Sequence, residues 1–359
     1  MLFKQQIEQI KEFVQKHERH IGTGALILGA LFDIATLTKP DSVFGIISLT
    51  SYVVIVGGSI LLLNARSARE KESVWLLILI QFCFGNLASG LLVLYSQSGT
   101  LVGSWLFLLV LLGFLIGNEF ARERYARLRS QLIGYYVLLI AYAGFIVPLM
   151  LKAVGTWVFL LSSLISLMVM GGYIALVYTA APARVKLDWK GSVIGIAVVA
   201  ALFNGLYFLN FIPPVPLSLT DIAIYHSVVR EGMEYKVTME AKPKWYNVFA
   251  QLRHTMHLVQ GEGVYCFSSV YAPANLSTPI YHRFEEFDTK TNAWITRSRV
   301  AFPINGGRGE GYRGYTFKSN LTEGRWRCSI ETTGGALIGR QTFGVSYVAT
   351  STPLVTEFR

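Results

Sequence analysis

The chain has 359 residues, 52% hydrophobic and only 15% charged, with a formal net charge of +10. An ordinary soluble domain carries about a quarter charged residues, so a wholly water-soluble chain is excluded, and three cysteines exclude a disulfide scaffold or a zinc module. The positive balance does not point to nucleic acid, because most cations of the first half flank apolar runs.

Residues 1–20 form an amphipathic pattern. Phe3, Ile7, Ile10 and Val14 fall at helical spacing, with Lys4, Lys11, Lys16 and Arg19 around them. A membrane-surface helix on the cytoplasmic side and a solvated lead-in fit this pattern equally. No cleavable signal peptide is expected, since the N-terminus is polar and the first apolar run is followed by many others. Seven apolar segments long enough to cross a bilayer follow, at about 21–38, 43–63, 74–96, 100–118, 132–151, 156–180 and 192–210.

Loop cations orient them. One set of flanks holds 14 Lys and Arg, among them Arg66, Arg69, Arg122, Arg129, Arg184 and Lys190; the opposite set, before residue 210, holds only Lys39 and Lys152. Cations stay on the cytoplasmic side, so the N-terminus is expected inside and everything after the seventh span outside. The bundle, 21–210, ends at Ile212-Pro213-Pro214-Val215-Pro216, where three prolines in five residues stop a helix. Residues 211–220 read as an exit linker.

The outer half, 221–350, alternates with period two. Trp294, Thr296, Ser298, Val300 and Phe302 alternate with Arg297 and Arg299, and Trp326, Cys328 and Ile330 with Arg325, Arg327 and Ser329. Turn signals such as Thr291-Asn292, Gly306-Gly307 and Gly334-Gly335 separate the strands. About seven strands over this length give an all-β, immunoglobulin-like sandwich. His254 to Val259 reads as either helix or strand, and 351–359 as a tail. The expected fold is therefore a polytopic α-helical membrane bundle of seven spans followed by a β-sandwich.

Several stretches together resemble one bacterial membrane family. They are Phe32-Asp33-Ile34-Ala35-Thr36-Leu37-Thr38-Lys39-Pro40-Asp41, Gly117-Asn118-Glu119-Phe120-Ala121-Arg122-Glu123-Arg124, the proline-rich exit, Ser268-Ser269-Val270-Tyr271-Ala272-Pro273, His282-Arg283-Phe284, Gly306 to Tyr315, and Gly324-Arg325-Trp326-Arg327. As an ordered set they are similar to the domain of unknown function 2914 (DUF 2914) family, departing from it at Phe284, where that family has Trp. The resemblance implies the bacterial inner membrane and a periplasmic C-terminal domain; it implies no activity.

Candidate sites are few. Asp33 lies about 18 Å along the first span. There a carboxylate costs roughly 2.5–3.5 kcal/mol on insertion scales, so it must face the bundle. It is either a coupling acid of a transporter or channel, or a structural partner of Gln81, Asn86, Asn204 or Lys39. Glu119 with Arg122, and Glu123 with Arg127, sit at helical pairing distance. His254 and His257 are three apart but lack further ligands, so no metal is expected. His282 reads as a buried, hydrogen-bonded histidine. Asn275-Leu276-Ser277 and Asn320-Leu321-Thr322 are sequons without consequence in a bacterial chain. Cys266 and Cys328 are a candidate disulfide, left open because the face of Cys266 is ambiguous. No nucleophile motif, Walker loop or dinucleotide fingerprint is present, so neither catalysis nor a cofactor is expected. The expected binding strip is Arg297, Arg299, Arg308, Tyr312, Arg313 and Lys318. Alternation sets Arg297 and Arg299 opposite Trp294, to meet an anionic glycan, a lipid head group or an envelope protein. The oligomeric state is not legible.

Overall fold

The structure, a computed structural model, describes residues 24, 28–37, 39–67, 74–119, 127–241, 255–274, 276–307, 311–350 and 352–359. The expected N-terminal amphipathic helix lies outside them, as do Arg69, Arg122, His254, Asn275 and Arg308 and at least one member of each expected Glu–Arg pair. The chain divides into two compact units. The first holds residues up to 96, 105–150 and 157–211; the second holds 97–104, 151–156 and 212–359.

The first unit is helical. A helical stretch at 28–36 precedes α1 (Val43–Ser67), α2 (Val74–Gln97), α3 (Leu101–Glu119), α4 (Leu128–Leu151), α5 (Thr156–Ala180) and α6 (Pro182–Phe208). Five of these are long and apolar enough to cross a membrane, and a shorter apolar helix spans Gly103–Asn118. Helix α4 forms the centre: 78% of its most apolar stretch is buried, against 28% for α5 and α6. Pro148 is tolerated inside it because neighbouring helices enclose the interrupted backbone. Polar side chains tie helix to helix. Tyr95 donates to the Ala141 carbonyl at 2.8 Å and Tyr173 to the Gly57 carbonyl at 2.7 Å. Buried Asn64 donates to Gln131 at 2.7 Å and accepts from Arg184 at 2.9 Å, joining α1, α4 and α6.

Helix α6 begins ten residues earlier than expected, with Pro182 in its first turn. It also ends before the prolines act. Asn210 takes φ of 59°, its N–H bonds the Tyr207 carbonyl, and the Phe211 N–H reaches back to Leu206. This is the left-handed cap that closes helix C-termini, with Asn in the usual place of Gly.

The second unit carries eleven strands among the described residues, not seven. They are β1 (Ser218–Tyr225), β2 (Ser227–Glu231), β3 (Glu234–Glu240), β4 (Thr255–Leu258), β5 (Val264–Tyr271), β6 (Ser277–Asp288), β7 (Ala293–Asn305), β8 (Tyr312–Lys318), β9 (Gly324–Thr332), β10 (Leu337–Tyr347) and β11 (Leu354–Phe358). They form three sheets, ordered β1-β5-β8, β4-β10-β9-β6-β7 and β11-β3-β2. Only β4 pairs in parallel, on β10. The expected tail therefore contains a strand, β11, paired with β3, and the expected linker already contains the start of β1.

The first two sheets share a core. Ile224, Met256, Val264 and Cys266 meet Phe284, Trp326, Cys328 and Phe343, and Leu217, Val270, Ile280, Ile304 and Ile330 form a second cluster with Val154 against it. The third sheet covers the other side of β1 and β5, burying Tyr225, Val237 and Phe267. Strand β5 is thus buried on both faces, and such strands lose the alternation that reports which face is inward. That is why the orientation of Cys266 is illegible in the sequence. In the structure it faces Cys328 and is bonded to it across the two sheets.

The bond closes a separation of 62 residues, which corresponds to about 4 kcal/mol in the chain-entropy account. The Cys266→Ala/Cys328→Ala variant should lose stability of that order in thermal melts of the full chain in detergent. In the denatured wild-type chain, both residues should take alkylating label only after reduction. Unchanged melting would remove the bond from the account of stability.

Candidate functional site

Strand β7 carries a bulge. Phe284 pairs with Ser298 and Glu285 with Thr296, which leaves Arg297 as the extra residue. An inserted residue reverses which side chains face outward beyond it. Trp294 therefore shares the face of Arg299 rather than opposing it, contrary to the simple alternation. Arg297, at the bulge, is taken by Glu286 at 2.7 Å.

The outer face of the five-stranded sheet is built from charged pairs. Glu285 on β6 accepts two hydrogen bonds from Arg327 of β9, at 2.6 and 3.0 Å, and lies 3.6 Å from Arg283. Glu331 on β9 accepts from Arg299 of β7 at 2.7 Å and lies 3.2 Å from Arg283. Arg340 of β10 donates to Ser329 at 3.0 Å. Aromatic rings lie beneath the guanidinium groups: Tyr281 under Arg299 at 3.9 Å, Trp294 under Arg327 at 4.3 Å, and Phe287 under Arg325 at 4.7 Å. Glu285 and Glu331 are 4% and 2% exposed, so each is a buried charge that only its arginines make tolerable. Burial pushes the Glu285 carboxyl up, but the hydrogen bonds of Arg327 and the charges of Arg283 and Arg340 outweigh it and hold the group below the ordinary range.

Five arginines, Arg283, Arg299, Arg325, Arg327 and Arg340, thus share one face with two carboxylates. The structure does not unite the expected strip. Tyr312, Arg313 and Lys318 lie on β8, in the three-stranded sheet, opposite Val270, Ser269 and Val264 of β5. The residues missed from sequence were Arg283, Glu285, Arg325, Arg327, Glu331 and Arg340. The signal available was charge at every second position of neighbouring strands, but which strands neighbour one another was not legible.

Under this sheet lies His282, fully buried. Its Nε2 and Nδ1 each lie 2.8 Å from a hydroxyl, of Ser268 and Thr316, and its ring meets Phe302 edge to face at 4.6 Å. Burial pushes its pKa down to about 3. Its ligand atom lies within 4.8 Å of both Cys266 and Cys328, but both sulfurs are spent on each other and both ring nitrogens on hydroxyls. The trio offers no lone pair to a metal without being dismantled.

A third cluster joins all three sheets. Glu240 at the end of β3 accepts from the His257 backbone at 2.6 Å, lies 2.9 Å from His257 Nδ1, and lies 3.2 Å from His226 Nε2. Burial raises the Glu240 carboxyl, yet these donors carry it below the ordinary range. The sequence paired His257 with His254 instead, because Glu240 and His226 are remote in the chain.

In the helical unit, Asp33 is 6% exposed and bonds Ser89 of α2, while its Oδ2 has no hydrogen-bond partner among the described residues. Its expected partners are engaged elsewhere: Gln81 with Asn118, Asn86 with the Phe82 carbonyl, and Asn204 with Ser163.

The fold defines a chain with membrane-length apolar helices followed by a β-rich region. Within that region, residues 277–345, which run from β6 into β10, match the family model described as Protein of unknown function (DUF2914), in keeping with the resemblance read from His282-Arg283-Phe284 and the later motifs. No curated protein matches in sequence. Among solved structures, a β-glucosidase from Listeria innocua in complex with gluconolactone is 9% identical over 33% of this chain and 17% of that one, with a TM-score of 0.19. The chain thus spans about a sixth of that protein. The Pseudomonas fluorescens alkylpurine DNA glycosylase AlkC bound to DNA is 9% identical over 86% of this chain and 99% of that one, with a TM-score of 0.20. At such TM-scores neither carries an argument.

His282 yields a pH dependence. Its folded pKa lies below its unfolded value of 6.5, so the unfolded state binds more protons between them. The stability contributed by neutral His282 is complete above that value and is lost as pH falls toward about 3. Thermal midpoints should decline from pH 6.5 downward, and the decline should be shallower in His282→Gln, which keeps hydrogen bonds to both hydroxyls. Equal slopes would show that another group is responsible.

Proposed function

We propose that the chain is a non-enzymatic bacterial inner-membrane protein that crosses the membrane seven times, with its N-terminus in the cytoplasm. Its periplasmic β domain, a sandwich of immunoglobulin-like size, binds an anionic ligand or an acidic partner protein. Two further features support the topology: the 14-to-2 division of loop cations, and the membrane-length apolar helices.

The observation that carries the binding reading is the surplus of five arginines over two carboxylates on one sheet face. Buried Glu285 and Glu331 hold Arg283, Arg299 and Arg327 in place, so little side-chain freedom remains to be lost when an anion arrives. Planar guanidinium groups already stacked on Tyr281, Trp294 and Phe287 keep donors directed outward for carboxylate or phosphate oxygens. Of the expected strip, Arg299 takes part in this face.

The discriminating variant is Arg325→Gln/Arg340→Gln. Glu285 and Glu331 are paired with Arg283, Arg299 and Arg327, so two surplus charges disappear while both carboxylates keep those partners. With the full chain in lipid nanodiscs, hyaluronate and an oligoglutamate peptide serve as probes. Wild type should bind at least one of them, more weakly as salt rises. The variant should lose about tenfold or more in affinity while still melting in one cooperative transition. Equal binding by both proteins would refute the site. An alkaline phosphatase fused after Arg359 should be active and one fused after Ser130 inactive; the reverse pattern would refute the orientation.

A further inference from the structure

Beside the Glu240 cluster, and sharing no residue with the arginine face, lies a cavity of about 330 Å³. Its apolar wall is Tyr265 of β5 and Phe317 of β8, with ring centroids 4.8 Å apart. Tyr315 continues the same aromatic strip 5.8 Å from Tyr265. Phe317 is 50% exposed and Tyr315 39%, unusual for rings on a sheet with polar neighbours. The floor is the turn at Gly261 and Gly263. Gly261 sits at φ of 94°, and a Cβ at Gly263 would strike both the Phe317 ring and the Lys318 carbonyl. The aromatic wall therefore lies flat on that turn only because glycine is there.

The polar side of the cavity is made of the imidazoles of His226 and His257, the Glu262 carboxylate and the hydroxyl residues Ser227, Thr238 and Thr352. Ionised Glu240 accepts only, so the nitrogens facing it, His226 Nε2 and His257 Nδ1, carry the protons. The opposite ring nitrogens, His226 Nδ1 and His257 Nε2, are left for other partners. Glu262 spends one oxygen on the Val259 N–H and keeps the other. Thr352 also lines the cavity, and its hydroxyl oxygen is buried without a hydrogen-bond partner among the described residues. A buried hydroxyl with nothing to bond costs free energy unless a ligand completes it. Neither arginine nor lysine is among the described residues lining the cavity.

We propose that this cavity is a binding site for one uncharged hexopyranose residue of a glycan. A sugar ring brings hydroxyls that donate to the Glu262 carboxylate and pair with the imidazoles and with Thr352 in either sense. Its C–H face stacks on Phe317 and Tyr265. A phosphate or carboxylate would instead meet the Glu262 carboxylate, with neither arginine nor lysine among the described lining residues to offset the repulsion. The volume falls at the lower end of the range for small-molecule sites, which suits a single ring.

The test uses the full chain in nanodiscs prepared without glycosidic detergent. Maltotetraose, cellotetraose and chitotetraose are screened by saturation-transfer NMR, with tetramethylammonium and glucuronate as controls. At least one neutral oligosaccharide should receive saturation at its ring C–H protons. Phe317→Ala should weaken that binding about tenfold or more, the loss of one stacked ring. Thr352→Val guards against misfolding: it removes an unpaired hydroxyl and should leave melting unchanged or raised while weakening sugar binding. No binding tighter than about 10 mM by any of the three sugars would overturn the proposal. So would sugar binding unaffected by both variants, or preference for tetramethylammonium or glucuronate.

Discussion

Two buried carboxylates dictate the geometry of the β domain. A carboxylate is tolerable there only when cationic partners offset its lost hydration. Glu285 and Glu331 lie on adjacent strands, and their partners come from β6, β7 and β9. A slip of one residue in any of these strands would turn a carboxylate or an arginine to the opposite face, among Phe284, Cys328 and Trp326. Apolar burial alone fixes register on the inner side; the ion pairs fix it again on the outer side. The bulge at Arg297 belongs to the same solution, since it brings Trp294 round beneath Arg327 while keeping Arg299 on Glu331.

The domain therefore presents two chemically opposite surfaces. On the sheet face, cations exceed anions and donors point outward. In the cavity by Glu240, Glu262 and two imidazoles line one side against Tyr265 and Phe317. One carboxylate, Glu240, orients both histidines there and bonds a backbone N–H of β4, so the cavity is tied to all three sheets. His282 has a different role. It closes a hydrogen-bonded line between Ser268 of β5 and Thr316 of β8 inside the core, next to the Cys266–Cys328 bond.

What could be read from the sequence was set by the range of each signal. The apolar runs, the chain exit near Pro213 and the strand character of the second half are local, and each was visible. The helix cap at Asn210 is also local, but Asn marks such a cap less distinctly than Gly does. The bulge at Arg297 was hidden, because one inserted residue leaves the spacing on either side intact and only reverses its sense. Cys266 was ambiguous for a different reason: β5 has apolar cover on both sides, from Cys328 and Trp326 on one and Phe267's neighbours on the other. The Glu240 cluster was beyond reach, since His226 and Glu240 meet through the pairing of β2 with β3, while His257 comes from β4 in a different sheet. For Asp33 the sequence offered Gln81, Asn86, Asn204 and Lys39 as partners, whereas Ser89 bonds it.

The most direct test of this account is the ionisation of Glu285 itself. Carbon-13 NMR of selectively labelled glutamate carboxyls, with Glu285 assigned by its absence in Glu285→Gln, follows the group in the full chain as pH is lowered. Held by Arg327 and flanked by Arg283 and Arg340, it should titrate below the ordinary glutamate range, remaining charged while exposed glutamates protonate. A midpoint at or above that range would mean that desolvation prevails over the arginines, and that the sheet face is not organised by a buried carboxylate.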